Sequence, residues 1–417
     1  MIFWFLLLFS TISQSQEQIF EVQQIFNDER FPNILVAKNG DIIATWGSTR
    51  LICRISDNGG ESWGPIIKIA EGINGGGLIV DENSGDIISF VEYNHPPSKV
   101  SSYRSVDNGK TWGKNFIKIY PDQNGNMPSM HMNEHGITIK KGKFKGRLIR
   151  PSRYYSTSND KKYYPEHYSN AIYSDDGGKT WFTSNPFPAN GTGEGAIIEL
   201  GNGDLLYNSR RHFSNDGLNP RMRHIAISKD GGENWNNLSV SEFLPDGQKN
   251  SDYGLMAGLD VFNYFGEEII VYTNIDSYDK RSNGMIWAST DQGNTWPIKK
   301  KIDEFGFKYS SIAIGRKNTK TQIHNRNQRS KPNIIKIMME MVTLETTMVM
   351  TKQTIMEMGT LEATTVMGAL LEIAITKLNF VEPHGCRLCV LGAMQVDGAL
   401  AGRKAPVPNV LNSRTSL

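Results

Sequence analysis

Cysteine is scarce. The 417 residues hold three, Cys53, Cys386 and Cys389, too few for a disulfide framework, and a chain of this length can bury enough apolar surface without one. An excess of charge of one sign is also missing, since 45 Lys and Arg stand against 43 Asp and Glu for a net of +2. No basic field is on offer, which argues against nucleic acid as a partner. Long apolar runs are absent beyond the start of the chain. Met1 to Gln16 opens with Ile2-Phe3-Trp4-Phe5-Leu6-Leu7-Leu8-Phe9. That run is too short to cross a bilayer and fits the core of a signal peptide, with small residues at Ser13 and Ser15 near a cleavage point. The expectation is a secreted protein, or one held in an endomembrane or lysosomal lumen, with no membrane span left after cleavage. Asn190-Gly191-Thr192 and Asn237-Leu238-Ser239 fit glycosylation acceptors on that route. A helical period is missing as well. From residue 33 onward, short Ile- and Val-rich runs alternate with Gly/Asn/Asp turns, the pattern of an all-β meander.

What the chain does have is one turn stated five times. Its copies are Ser56–Trp63, Ser105–Trp112, Ser174–Trp181, Ser228–Trp235 and Ser289–Trp296, all fitting Ser-x-Asp-x-Gly-x-x-Trp except that the first carries Asn58. They start roughly 50 to 70 residues apart, so the architecture is a repeat. The chemistry of one copy explains its composition. A short Asp or Asn side chain can bond nearby backbone N–H groups, Gly supplies a backbone angle that other residues resist, and Trp plugs the apolar side. The motif holds no nucleophile and no ligand cage, and reads as a structural staple. Around the first copy the predicted strands are Asn33–Ala37, Ile42–Trp46, Leu51–Ile55 and Pro65–Ile69. The pattern returns near Gly77–Phe90, Gly136–Ile149, Ala196–Tyr207 and Leu259–Tyr272.

The five turns resemble the Asp-boxes of the sialidase (neuraminidase) superfamily, whose boxes join the outer two strands of propeller blades. The likeness covers roughly Phe20 to Gly315. It implies an all-β, six-bladed propeller over residues 17–315, following a signal peptide at 1–16. A sixth blade would begin at Tyr309–Ile314, with a strand near Ile19–Phe26 pairing to close the ring. The character of the sequence changes beyond residue 315. All eight Trp lie before residue 297, and nine of the 16 Met fall in the tail. A Met/Thr/Glu-rich segment repeats from Met339 and again from Met356. Residues 316–417 therefore do not read as propeller. They read either as a disordered or helical appendage, or as coding sequence in the wrong frame. Cys386-Arg387-Leu388-Cys389 is a single CxxC with no second pair to complete a zinc site.

The resemblance also implies site residues. In the family three arginines grip the substrate carboxylate, a tyrosine attacks the anomeric carbon and a glutamate takes its proton. Arg30, in Glu29-Arg30-Phe31-Pro32, matches the first arginine, whose planar fork of donors suits a carboxylate. Glu194 and Arg210 match the glutamate that precedes one strand and the arginine that ends the next. Arg211 would point to the other face, and Glu199 is embedded in a strand. Arg281 matches the third arginine, and Tyr309, in Lys308-Tyr309-Ser310-Ser311, matches the nucleophile. A free tyrosine with pKa near about 10 needs such a base against it. A neutral Tyr–Glu pair also avoids the repulsion that a carboxylate nucleophile would exert on the substrate's own carboxylate.

One role is unfilled. The family's acid/base is an aspartate in the loop between the second and third strands of blade one. Here that loop is Gly47-Ser48-Thr49-Arg50, with no carboxylate. Glu92, His131, Glu134 and His135 are the candidate substitutes, and Arg150 and Arg153 are candidate cleft residues. The implied function is an exo-α-sialidase-like glycosidase. It would release terminal sialic acid from glycoproteins, oligosaccharides or gangliosides with retention, using no metal or organic cofactor. The alternative is a lectin that keeps the arginine clamp and binds acidic sugars without hydrolysis.

Overall fold

The computed structural model describes residues 23–26, 31–247, 254–264, 266–277, 280–316 and 388–395. Residues 1–16, the expected signal peptide, and most of the tail lie outside these. Among the described residues the regular elements are strands apart from two short 3-10 segments, Gly142–Phe144 and Lys161–Glu166, because runs such as Ile42–Trp46 and Ile87–Glu92 are β-branched, short and bounded by turn residues.

Five sheets succeed one another along the chain. The first contains β1 (Asn33–Val36), β2 (Ile42–Trp46), β3 (Arg50–Ser56) and β4 (Ile67–Glu71) as an antiparallel meander. The second holds β5 (Ile73–Asn74), β6 (Ile79–Val80), β7 (Ile87–Glu92), β8 (Val100–Ser105) and β9 (Gly113–Asn115), with β5 and β6 both paired to β7. After β10 (Lys118–Tyr120), the third sheet runs β11 (Ile137–Thr138), β12 (Leu148–Tyr154), β13 (Tyr168–Ser174) and β14 (Thr180–Thr183), and β10 adds in parallel to β14. The fourth is β15 (Thr192–Glu199), β16 (Leu205–Arg211), β17 (Met222–Ser228) and β18 (Asn236–Pro245). The fifth is β19 (Gly258–Tyr264), β20 (Glu267–Ile275), β21 (Ser282–Ser289), β22 (Ile298–Ile314) and β23 (Leu388–Gln395). The sheets are the blades of an all-β propeller.

The expected blade count was six, and five sheets are found among the described residues. The physical reason is β22, which belongs to two places. Its first half pairs with β21 as the outer strand of blade five. Its second half turns inward to the axis, where Ser310 N–H donates to the Met256 carbonyl at 3.2 Å and Ser311 Oγ accepts from Ile34 N–H at 3.0 Å. The unbroken strand keeps that inner half in the fifth sheet. Part of the tail joins it, because β23 pairs antiparallel with the inner half of β22, a strand that the composition of the tail did not suggest. The strand expected near Ile19–Phe26 is not formed over residues 23–26, where Phe26 instead stacks on Trp46 at 5.7 Å.

All five repeated turns join the third and fourth strands of a blade and are built alike. The hydroxyls of Ser56, Ser105, Ser174, Ser228 and Ser289 accept the glycine N–H four residues on, at 2.7–2.9 Å. Each also donates to the Asn or Asp two residues on, at 2.7–2.8 Å. That side chain in turn accepts the N–H of the residue before the Trp, at 2.9–3.0 Å. Partial burial tends to raise the carboxyls of Asp107, Asp176, Asp230 and Asp291, but these hydrogen bonds outweigh it and hold all four below the usual aspartate range. The indoles of Trp112, Trp181 and Trp296 close the turn on a glycine carbonyl at 2.9–3.1 Å, whereas Trp235 reaches Ser184 Oγ of the preceding blade at 3.1 Å.

The core is divided among the faces of neighbouring blades. Ile79, Ile88 and Phe90 of blade two meet Leu148, Ile172 and Trp181 of blade three. Leu206 and Ile225 of blade four meet Tyr272, Trp287 and Trp296 of blade five. Along the axis the segment His131–Gly136 ties the inner strands together. The Asn133 carbonyl accepts from Asn33 Nδ2 at 3.2 Å and from Gly77 N–H at 2.9 Å, and Glu134 N–H donates to the Gly195 carbonyl at 2.9 Å.

Candidate active site

The strand ends opposite the Asp-boxes gather the chemistry. Glu194 lies near the start of β15 and Arg210 near the end of β16, so both stand at the same end of one hairpin, as their spacing predicted. Arg210 Nη1 donates to Glu194 Oε2 at 2.5 Å, and both residues are buried. Burial opposes the Arg210 charge, but the Glu194 carboxylate and the neighbouring Tyr309 outweigh it and raise the arginine above its ordinary value. Arg281, half-buried before β21, brings its guanidinium to 5.4 Å from the Tyr309 ring centre. Its carbonyl accepts the N–H of Phe307, which fixes it against the strand that carries the tyrosine. Tyr309, 7% exposed, thus lies between two arginines from different blades. Glu194 and Tyr309 share Arg210 as a neighbour and make no hydrogen bond to each other. Four of the five expected residues therefore come together. The fifth, Arg30, lies outside the described residues, although its neighbour Phe31 packs 6.3 Å from the Tyr309 ring.

Behind this group is a layer that the sequence reading missed. Arg223, fully buried on β17, donates to Asp246 Oδ1 at 2.8 Å, to Asn208 Oδ1 at 2.6 Å and to the Glu194 carbonyl at 3.3 Å, so it locks the backbone beneath the candidate base. The available signal was a charged residue just before the apolar run Ile225-Ala226-Ile227 of the same strand. Arg211 turns to the opposite face, as expected, and pairs with Asp216 at 2.6 Å. There it lines a separate polar groove of about 750 Å³ with Asn185, Asn190 and Asn234. Glu199 accepts the N–H groups of Lys140 and Lys141 at 2.8 Å and braces two blades, which is structural work.

The acid/base position stays without a carboxylate. The loop Gly47–Arg50 turns so sharply, with Gly47 at φ +147°, that a Cβ there would lie 1.8 Å from the Arg50 carbonyl oxygen. The candidate substitutes have other duties. Glu134 accepts a hydrogen bond from Ser311 Oγ and lies 3.7 Å from His135 Nε2 on the axis. Both His135 nitrogens face carbonyls, Nδ1 that of Gly136 at 3.2 Å and Nε2 that of Ile312 at 3.1 Å, which only the doubly protonated ring satisfies. Burial opposes the charge on His135, but Glu134 and Asp260 outweigh it and raise its pKa. Burial pushes Glu134 up to about 7. Glu92 is also pushed by burial to about 7, while its Oε1 accepts from Ser129 Oγ and Met130 N–H, each at 2.7 Å. His131 packs edge-on between Phe31 and His95, both at 4.9 Å. The ring series continues from His95 through Tyr155, His167 and Tyr164 to His212, and so borders the cleft from Tyr309 round to Arg210.

Comparison with known proteins bears on the family and the fold. The profile of the BNR repeat-like domain matches residues 47–324. The chain belongs to that family, within the sialidase superfamily of propellers. It is similar to the sialidase of Micromonospora viridifaciens, with 26% identity over 324 residues that cover 69% of this chain and 48% of the relative. It is also similar to the sialidase of Vibrio cholerae, with 29% identity over 210 residues that cover 43% of this chain and 25% of the relative. The chain spans half or less of the length of these curated relatives. Among solved structures it shares its fold with a Hadza microbial sialidase at TM-score 0.54, 22% identity, covering 68% of this chain and 60% of that one. The NanB sialidase of Streptococcus pneumoniae aligns at TM-score 0.55 and 14% identity, covering 70% of this chain and 65% of that one.

Proposed function

We propose that this chain is an exo-α-sialidase-like glycoside hydrolase acting on terminal sialic acid of glycoproteins, oligosaccharides or gangliosides. The observation that carries the reading is the meeting of Glu194, Arg210, Arg281 and Tyr309, from blades four and five, at one end of the inner strands. Arg210 and Arg281, with Arg30, would clamp the substrate carboxylate. That carboxylate competes with Glu194 for Arg210, which frees the Glu194 oxygen to accept the proton of the Tyr309 hydroxyl. Tyr309 then attacks the anomeric carbon as the bond to the aglycone oxygen breaks, the aglycone leaving as its alcohol with a proton from solvent. Water next displaces the tyrosine oxygen, which recovers its proton from Glu194, with overall retention. The inner half of β22, with β23 beside it, serves in this reading as the start of a sixth blade.

The second reading, a lectin-like module that binds acidic sugars without turnover, rests on one observation, the tight Gly47–Arg50 loop without an acid. Loss of a general acid typically costs about 10²–10⁴-fold in rate, and an activated leaving group needs little such help. Proton NMR of an activated aryl α-sialoside incubated with the chain separates the readings. The α anomer as first product is expected. The β anomer would exclude the tyrosyl route, and a folded chain that binds sialic acid but yields no product would be the lectin. We also place the chain on the secretory route because of the Met1–Gln16 run. N-terminal sequencing of exported protein is expected to begin near residue 17, and an intact Met1 would refute cleavage.

A further inference from the structure

The buried charge around β12 does not balance. Arg150 and Arg153, both on that strand, are 0% and 1% exposed, and neither has an ion-pair partner among the described residues. Arg150 is held by carbonyls, donating to Met130 and Pro151 at 3.2 Å, and lies over the Phe90 ring at 4.9 Å. Arg153 stacks on Tyr155 at 4.2 Å, and its Nε has no partner. Glu92 is the acid that acts electrostatically on both. Even fully ionised it offsets one of the two cations, and its Oε2 meets neither. The other buried arginines of the cleft are matched one to one, Arg210 by Glu194 and Arg223 by Asp246. Aromatic stacking offsets a fraction of the cost of withdrawing a cation from water, and an unpaired buried cation remains expensive.

His212 connects this surplus to the cleft. It lies two residues beyond Arg210, just past the end of β16, where it is half-buried and within electrostatic reach of Arg210. Arg153 Nη2 stands 3.3 Å from His212 Nε2. A guanidinium can only donate, so Nε2 is the acceptor, and the proton sits on Nδ1, which makes no hydrogen bond among the described residues. The ring is further surrounded by Arg210, Arg281, His167 and the edge of Tyr164 at 5.2 Å. Burial, then Arg210 and Arg153, hold it well below the ordinary histidine value. Gly193, next to Glu194, makes room for the pair. A Cβ there would lie 2.7 Å from His212 Nε2 and 2.8 Å from Arg153 Cζ.

We propose that Arg153 and His212 form a second anion subsite beside the Arg210–Arg281 pair, and that the preferred ligand is a sugar acid carrying a phosphate or sulfate ester as well as its carboxylate. This rests on the sugar-acid reading of the same cleft. Calorimetry on the full chain bearing Tyr309→Phe, which removes turnover, tests it with free sialic acid and with its phosphate and sulfate esters. One or both esters are expected to bind at least about 10-fold tighter than the parent acid, a gain of the size that one charge-assisted contact supplies. Arg153→Gln and, separately, His212→Gln should remove that preference, the second without disturbing a buried side chain. Equal affinity for esters and parent, or equal loss for all three ligands in both variants, would overturn the subsite while leaving the sialidase-like reading in place. Failure of every ligand to bind a folded chain would instead sink the sugar-acid reading and the subsite with it.

Discussion

Asp176 and Glu92 lie at opposite ends of neighbouring blades, and their carboxyls are handled in opposite ways. Asp176 is exposed and saturated with donors from Ser174, Lys179 and Thr180, which hold it below the usual aspartate range. Glu92 is fully buried, uses one oxygen, leaves the other without a partner and is pushed up to about 7. Glu134 repeats the Glu92 pattern on the axis, and Asp107, Asp230 and Asp291 repeat the Asp176 pattern at the other boxes. One end of each blade minimises free energy by local hydrogen bonding. The other end carries desolvated charge whose cost is tolerated, which is where binding and proton transfer are most easily built.

Changes at the two ends should therefore read out differently. The largest effect is expected at the cleft. Arg210→Ala leaves Glu194 buried and alone, which should lower stability by about 3–5 kcal/mol and also abolish binding of a sugar carboxylate. Urea unfolding and calorimetry measure the two losses, and a variant as stable as the parent would contradict the buried pair. Asp176→Ala should cost about 1–2 kcal/mol from lost hydrogen bonds, with ligand affinity per folded molecule unchanged. A fall in affinity would mean that the box end is not purely structural.

The pH dependence sharpens the same contrast. The Asp-box carboxyls are depressed in the folded state, so the stability they contribute is present above the unfolded aspartate value near 3.8 and is lost as pH falls below it. Glu92 is raised from 4.5 to about 7, so the fold holds its proton more tightly, and stability should fall as pH rises from about 4.5 towards 7. Unfolding midpoints followed from pH 3 to 9 should show Glu92→Gln flattening the neutral limb and leaving the acid limb alone. The smallest effect belongs to the first box, where Asn58 replaces the acid and donates from Nδ2 to Ser62 Oγ at 2.8 Å. Asn58→Asp should change stability by less than about 1 kcal/mol, in the favourable direction, because Ser56 and Ser62 can both donate to a carboxylate. A loss larger than that would show that the first turn is built differently from the rest.

The same asymmetry explains what was legible in the sequence. The boxes act through bonds between residues two to four apart, so Ser174-Asp175-Asp176-Gly177-Gly178 declares its turn without help from the rest of the chain. Glu194 and Arg210 were also legible, because one hairpin sets their spacing. Arg153 meeting His212 was not, since 59 residues and a change of blade separate them and neither belongs to a local pattern. Nor was the double duty of β22, because Tyr309–Ile314 was expected to open a blade of its own and instead continues the single strand Ile298–Ile314. The shared position of Tyr309 and Arg281 came from family resemblance. Physical chemistry alone gives no reason to pair residues from different strands before their sheet is seen.

The central claim is that the cleft end performs chemistry, and it is tested most directly by the turnover of an activated aryl α-sialoside by the chain and by Tyr309→Phe. Tyr309 makes no hydrogen bond through its hydroxyl among the described residues, so the variant should melt within a few degrees of the parent. The account predicts measurable hydrolysis that falls by at least about 10³-fold in the variant. Undiminished hydrolysis in Tyr309→Phe, or none from a folded parent chain, would contradict it.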